Sequence, residues 1–171
     1  DFTKQAAFIK AIKDSEFPDK KPILVGHSLG GSIIPKVLMD YPDSFAGMVV
    51  VAGTIDPSLG DPRWYNFLGN TILVKWLISE ELQKSNDEIM SLRQNLEEMN
   101  QSWKDIYHPV SVIQGTADML VSPKNAKFAK DSLSHLGDLL EVKEIKDGNH
   151  FLIWDNKKSI EESLLRIKNL I

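Results

Sequence analysis

A tight glycine-serine turn, Gly26-His27-Ser28-Leu29-Gly30, stands between an apolar run at residues 23–25 and a helical stripe of Ile33, Ile34, Val37 and Leu38. With Gly and Ser each near 7% of average sequence, a chance match to G-x-S-x-G in a chain this long is on the order of 5%. The strand-turn-helix setting gives the match its weight. A turn this sharp predicts a strained backbone at Ser28, with Gly26 and Gly30 removing side chains that would clash and Gly31 adding room. It pushes the serine hydroxyl out in front of a sheet. It also aims the free N–H groups of a helix N-terminus at whatever lies there. The bland alternative is an ordinary Gly-Ser turn.

The rest of the chain supports a sheet behind that turn. Apolar runs recur at residues 23–25, 47–52, 110–113 and 141–145, separated by helical segments. Short β-branched runs alternating with helices predict βαβ units and a mostly parallel sheet covered on both faces. The fourth run alternates apolar and charged residues, as an edge strand does. Residues 3–14 carry Ala6, Phe8, Ile9 and Ile12 on one side of a helix that Pro18 and Pro22 end. Ile160, Leu164, Ile167 and Ile171 mark a last helix, with Ser159 and Glu162 as a capping box.

Residues 54–107 break the pattern. They hold no strand signal but contain Trp64, Trp76 and Trp103 and a helical stripe of Ile89, Leu92, Leu96, Met99 and Trp103, with Ser85 and Glu88 as capping candidates. The expected division is a core of residues 1–53 and 108–171, with 54–107 as a helical insertion.

Composition then removes whole classes of function. The 171 residues include no cysteine, which excludes disulfides, thiolate metal sites and a thiol nucleophile. Acidic residues outnumber basic ones, 24 to 20, and no Lys/Arg cluster stands out, which argues against nucleic acid. No apolar stretch is long enough to span a bilayer. No metal or cofactor is expected. No signal peptide is visible, and the expected compartment is cytoplasmic.

A serine hydroxyl becomes a nucleophile when a base takes its proton. Of the four histidines, His27 adjoins Ser28 and is expected to point to the other side. His108 starts a strand, the wrong end of a parallel sheet for chemistry, and His135 reads as a solvated loop residue. His150, in Asp147-Gly148-Asn149-His150-Phe151, follows the last strand where sites collect. A histidine base needs an acid to fix its tautomer. Asp118 closes the third strand in Gln114-Gly115-Thr116-Ala117-Asp118, and Asp56 after the second strand is the competitor. Either aspartate could instead be a turn or cap residue.

The order Ser28, Asp118, His150, each just after a strand, resembles that of the α/β-hydrolase superfamily, and the chain looks like its lipase and esterase members. Gly115-x-x-Asp118 and Gly148-x-His150-Phe151 resemble the superfamily's acid and histidine motifs, and residues 54–107 resemble its cap. The resemblance covers most of residues 22–171. It implies an α/β fold with Ser28 as nucleophile, His150 as base, Asp118 as acid and the Leu29 backbone N–H as one oxyanion donor. It also implies strands before the turn that are not found here, including the loop that supplies a second oxyanion donor. The expectation is therefore a piece of a larger protein, with activity needing those strands. The nucleophile strand would then be an open edge prone to self-association.

The expected reaction is cleavage of an ester-type acyl bond in a small molecule through an acyl-enzyme on Ser28. His27 and Trp76 are candidate pocket residues, with the apolar stretch 72–78 lining the pocket or simply packing. Two other readings stay open: an acyltransferase using the same three residues, and a non-catalytic fragment or ligand-binding protein on this scaffold.

Overall fold

The computed structural model describes residues 1–59 and 85–171, and side chains within 85–91 are not described. Trp64, Trp76, the stretch 72–78 and the capping residues Ser85 and Glu88 therefore lie outside the described positions or side chains.

Helix α1 (Phe2–Glu16) is capped by Asp1, whose carboxylate accepts from the Thr3 N–H at 2.8 Å. Pro18 and Pro22 follow, and strand β1 (Ile23–His27) leads through Ser28 into α2 (Leu29–Asp40). Strand β2 (Gly47–Val51) comes next, then α3 (Ser85–Met99), β3 (Val110–Gly115), α4 (Lys124–Ser132) and β4 (Leu140–Ile145). A short α5 (Leu152–Asp155) and the long α6 (Lys157–Leu170) complete the described elements.

The four strands form one parallel sheet in the order β1-β2-β3-β4. Alternation along β2 divides the core, because successive strand side chains point to opposite faces. Met48 and Val50 join a cluster with Phe2, Ile34, Leu38 and Phe45 on one face. Val49 and Val51 join Ile113, Leu152, Ile160 and Ile167 on the other. Both faces are covered, as parallel strands require.

The end of the 54–107 segment packs with this core. Leu92, Leu96, Met99 and Trp103 are buried in the same cluster as Phe2 and Ile34, and the Phe2 N–H donates to Asn95 Oδ1 at 2.9 Å. The described part of the helical stripe, Leu92 to Trp103, is thus a packing face of this cluster, while the side chain of Ile89 lies outside the described ones.

The last helix departs from expectation at its start. Its cap is Asn156, whose side-chain oxygen accepts from the Ser159 N–H at 3.4 Å and the Ser159 hydroxyl at 2.6 Å. Ser159 lies inside the first turn, so no Ser159–Glu162 capping box forms. Asn caps as well as Ser, and Glu162 instead reaches Lys143.

Among the described residues strand β4 is an edge strand, as its alternating charges predict. On it, burial would raise the Glu141 carboxyl. Hydrogen bonds from Ser163 and Ser111, with the Lys143 and Arg166 cations, outweigh that and hold it below the ordinary glutamate value. Among the described residues strand β1 is the other edge, with Val25 42% exposed.

Candidate active site

Ser28 adopts φ 54° and ψ −120°, a conformation that residues with a Cβ rarely hold. Neighbouring backbone enforces it. A Cβ on Gly26 would lie 2.4 Å from the Gly30 carbonyl oxygen, and one on Gly31 would lie 3.0 Å from the Gly53 Cα. Gly30 is different: among the described residues nothing lies within 4 Å of a Cβ placed there. The expectation that Gly30 relieves a clash is thus corrected, because the crowding falls on Gly26 and Gly31, where strand and helix backbones touch. Ser28 is also the N-cap residue of α2, and its side chain makes no capping hydrogen bond. The Leu29 N–H lies in the first turn of α2, where backbone donors have no intrahelical acceptor.

Two glycines join the other loops of the site. A Cβ on Gly115 would stand 2.2 Å from the Gly148 carbonyl oxygen, so the end of β3 meets the turn after β4 backbone to backbone. The Ala117 N–H donates to that same oxygen at 3.0 Å. Asp147, just before Gly148, has φ 57°, which turns the chain back toward Ser28.

This crossing brings the three sequence candidates together. The His150 Nε2 lies 3.0 Å from Ser28 Oγ, and its Nδ1 lies 3.0 Å from Asp118 Oδ2. A carboxylate only accepts, so Nδ1 carries the proton and Nε2 is left to accept from the serine hydroxyl. Asp118 and His150 are buried, 5% and 6% exposed, which leaves little water to compete for these bonds. Asp118 Oδ1 accepts from the N–H groups of Leu120 and Val121, each at 2.9 Å. Asp56 takes no part: its carboxylate accepts from the Ser58 N–H and hydroxyl at 2.8 and 2.7 Å.

The remaining histidines fall as follows. His135 is exposed, yet its Nε2 donates to the Ile106 carbonyl at 2.8 Å, so it ties two segments together. His108 lies two residues before β3, at the opposite end of that strand from the Asp118 loop. His27 is half-buried against the site. Its Nε2 lies 2.8 Å from the His150 carbonyl oxygen, and its ring centroid lies 4.9 Å from that of His150. The expectation that it points away from Ser28's surroundings fails because Ser28's backbone leaves strand geometry and strict alternation ends there. Burial, and then the nearby His150, lower the His27 pKa, outweighing the raising effects of its hydrogen bond and of Asp118.

Two supporting residues escaped the sequence reading. Gln114 is buried, and its amide donates to Asp118 Oδ2 at 3.2 Å and to the Val121 carbonyl at 3.3 Å. Asn125 is buried, and its side-chain oxygen accepts from the N–H groups of Ile55 and Asp56 at 2.8 and 3.0 Å. The available signal was an amide in an otherwise apolar strand or helix face.

The sequence profile of the serine aminopeptidase S33 family matches residues 3–104, more than half of the chain. The chain belongs to this family. No curated protein sequence matches the chain. Among solved structures it is similar to a hydrolase from Thermoplasma acidophilum, at 15% identity and a TM-score of 0.63. A monoacylglycerol lipase from Paleococcus ferrophilus aligns at 21% identity and a TM-score of 0.69, and an esterase from Pyrococcus furiosus at 18% and 0.67. These alignments cover 99%, 99% and 98% of this chain but 59%, 74% and 61% of the respective neighbours. The fold of this S33-family chain is that of the α/β hydrolases, and the family is one of hydrolases.

Proposed function

We propose that this family member is a serine hydrolase that cleaves ester-type acyl bonds through an acyl-enzyme on Ser28. The observation that carries the reading is the hydrogen-bonded line from Ser28 Oγ through His150 to Asp118, with both links at 3.0 Å. As Oγ attacks the carbonyl carbon, its proton passes to His150 Nε2. Asp118 stabilises the imidazolium that forms. The Leu29 N–H, at the positive end of α2, faces the developing oxyanion. Collapse of the adduct expels the alcohol, which takes the proton from His150. Water then attacks the acyl group, gives its proton to the same nitrogen, and releases acid and free serine.

Apolar surface beside the reacting groups favours an apolar acyl or alcohol portion. The Phe151 ring lies 5.8 Å from that of His150 and 5.9 Å from that of Trp154. Leu29, Phe151 and Trp154 are all exposed. A lipase and an esterase among the structural neighbours agree with an ester substrate.

The test is intact-mass spectrometry after treatment with a fluorophosphonate, in which Oγ displaces fluoride to form an O–P bond. One adduct is expected, and it should vanish in Ser28→Ala. An adduct that survives in the variant, or none in the folded full-length protein that carries the remaining strands, would overturn the proposal.

A further inference from the structure

His27 precedes the nucleophile directly in the chain, yet its ring reaches across to the loop that bears the base. Its Nε2 is 2.8 Å from the His150 carbonyl oxygen. A carbonyl oxygen only accepts, so Nε2 of His27 carries the proton. Neutral His27 is therefore the Nε2–H tautomer, opposite to that required of His150. The ring also meets Trp154 edge-on, with centroids 5.4 Å apart.

The value of this contact follows from how the His150 ring can lose its place. Rotation about its own side-chain bonds is opposed by Asp118, which holds Nδ1 at 3.0 Å. Translation with the loop is not opposed by that bond alone. The loop holds its own shape through the Phe151 N–H, which donates to Asn149 Oδ1 at 2.7 Å, and the Gly148 N–H, which donates to the Ile145 carbonyl at 3.0 Å. Those bonds are internal to β4 and the turn after it. The Gly148 carbonyl is tied to the Asp118 loop through Ala117. The Asp147 N–H donates to Thr116 Oγ1 at 2.8 Å, a further tie to the Asp118 side, whereas the bond from His27 ties the loop directly to the residue next to Ser28.

We propose that His27 is a positioning residue, which through its bond to the His150 carbonyl holds the base loop in register with Ser28. The proposal rests on the acyl-enzyme reading above. The groups facing His27 are the His150 ring and carbonyl, the Trp154 ring and, at longer range, the Asp118 carboxylate. Burial favours the neutral ring, which keeps a second positive charge away from His150 while His150 holds the serine's proton.

Three variants separate this role from simple packing. His27→Phe keeps a ring against Trp154 but removes the donor. His27→Gln keeps an amide donor near the Nε2 position. His27→Ala removes both. The rate of fluorophosphonate labelling at Ser28 should fall about tenfold to a hundredfold in Phe and Ala, the loss expected when reacting groups drift by about 1 Å. It should recover most of the way in Gln. With an ester substrate the loss should appear in kcat, with KM little changed. Imidazole ¹⁵N spectra of the wild type should show His27 as Nε2–H and His150 as Nδ1–H.

Equal labelling rates in His27→Phe and wild type would overturn the positioning role. So would a Gln variant as slow as Phe, or an Nδ1–H tautomer at His27. A folded full-length protein that shows the two tautomers but does not label at Ser28 would overturn the acyl-enzyme reading, and with it the catalytic purpose of the contact.

Discussion

At the end of β1, Ser28 is held by crowding: Gly26 and Gly31 bring strand and helix backbones so close that the residue between them takes φ 54°. At the ends of β3 and β4, Asp118 and His150 are held by bonds. Four donors converge on Asp118, from Leu120, Val121, Gln114 and His150. Crowding fixes a position at the cost of backbone strain, and it needs no side chain to do so. Hydrogen bonding fixes an orientation and a tautomer, and it is only as good as the partner at each end. A nucleophile needs the first, because its oxygen must project into the open. A base and its acid need the second, because the proton must sit on one chosen nitrogen.

The sharpest break of the bonded end is Asp118→Asn. Oδ1 keeps its two backbone donors, but an amide nitrogen facing His150 Nδ1 donates and forces the proton to Nε2. Turnover in the active protein should fall by about 10⁴, the size of the effect when this tautomer is reversed in a serine triad. The thermal midpoint should change little by comparison. A loss below tenfold would show that the acid does not set the tautomer.

Crowding is tested by three single methyl groups. Gly115→Ala drives a Cβ to within 2.2 Å of the Gly148 oxygen, and Gly26→Ala to within 2.4 Å of the Gly30 oxygen. Each should destabilise by about 1–3 kcal/mol, as overpacking does, and more where the backbone cannot yield. Gly115→Ala should also slow labelling of Ser28, since it separates the acid and base loops. Gly30→Ala meets no described atom within 4 Å and should instead stabilise α2 by roughly 0.5–1 kcal/mol. Denaturant midpoints for the three variants give the order directly. A Gly30 variant as damaged as Gly26 would mean the crowding has been located on the wrong glycine.

Much of this site was readable as sequence because strand ends are readable. Apolar runs bounded by Gly, Pro or Asp located Ser28, Asp118 and His150 at one edge of a parallel sheet, and their order suggested the three roles. The Gly115 and Gly148 motifs are visible too, but not their reason, since a backbone contact between a strand end and a distant turn leaves no trace in either segment. Local rules failed where two residues could serve equally, as with Asn156 and Ser159 at the start of α6. Gln114 and Asn125 were missed because a buried amide has meaning only through the partners that folding gives it. His27 was misjudged because strand alternation was extended one residue too far, into an elbow whose backbone no longer obeys it.

His27 is where the crowded end and the bonded end meet, and it yields the smallest effect. Burial lowers its pKa in the folded protein, so below the ordinary histidine value of about 6.5 the unfolded chain takes up a proton that the folded one resists. Its share of stability is therefore complete above that pH and lost as the pH falls toward the depressed folded value. His27→Gln does not titrate and should lack this share. The thermal midpoint should drop further between pH 7.5 and pH 5.5, about one unit either side of the ordinary value, in the wild type than in His27→Gln. An equal drop in both would place the acid sensitivity elsewhere. A larger drop in the variant would mean that His27 gains rather than loses affinity for its proton on folding, and that the ring is a charged strut between the two ends instead of a neutral donor.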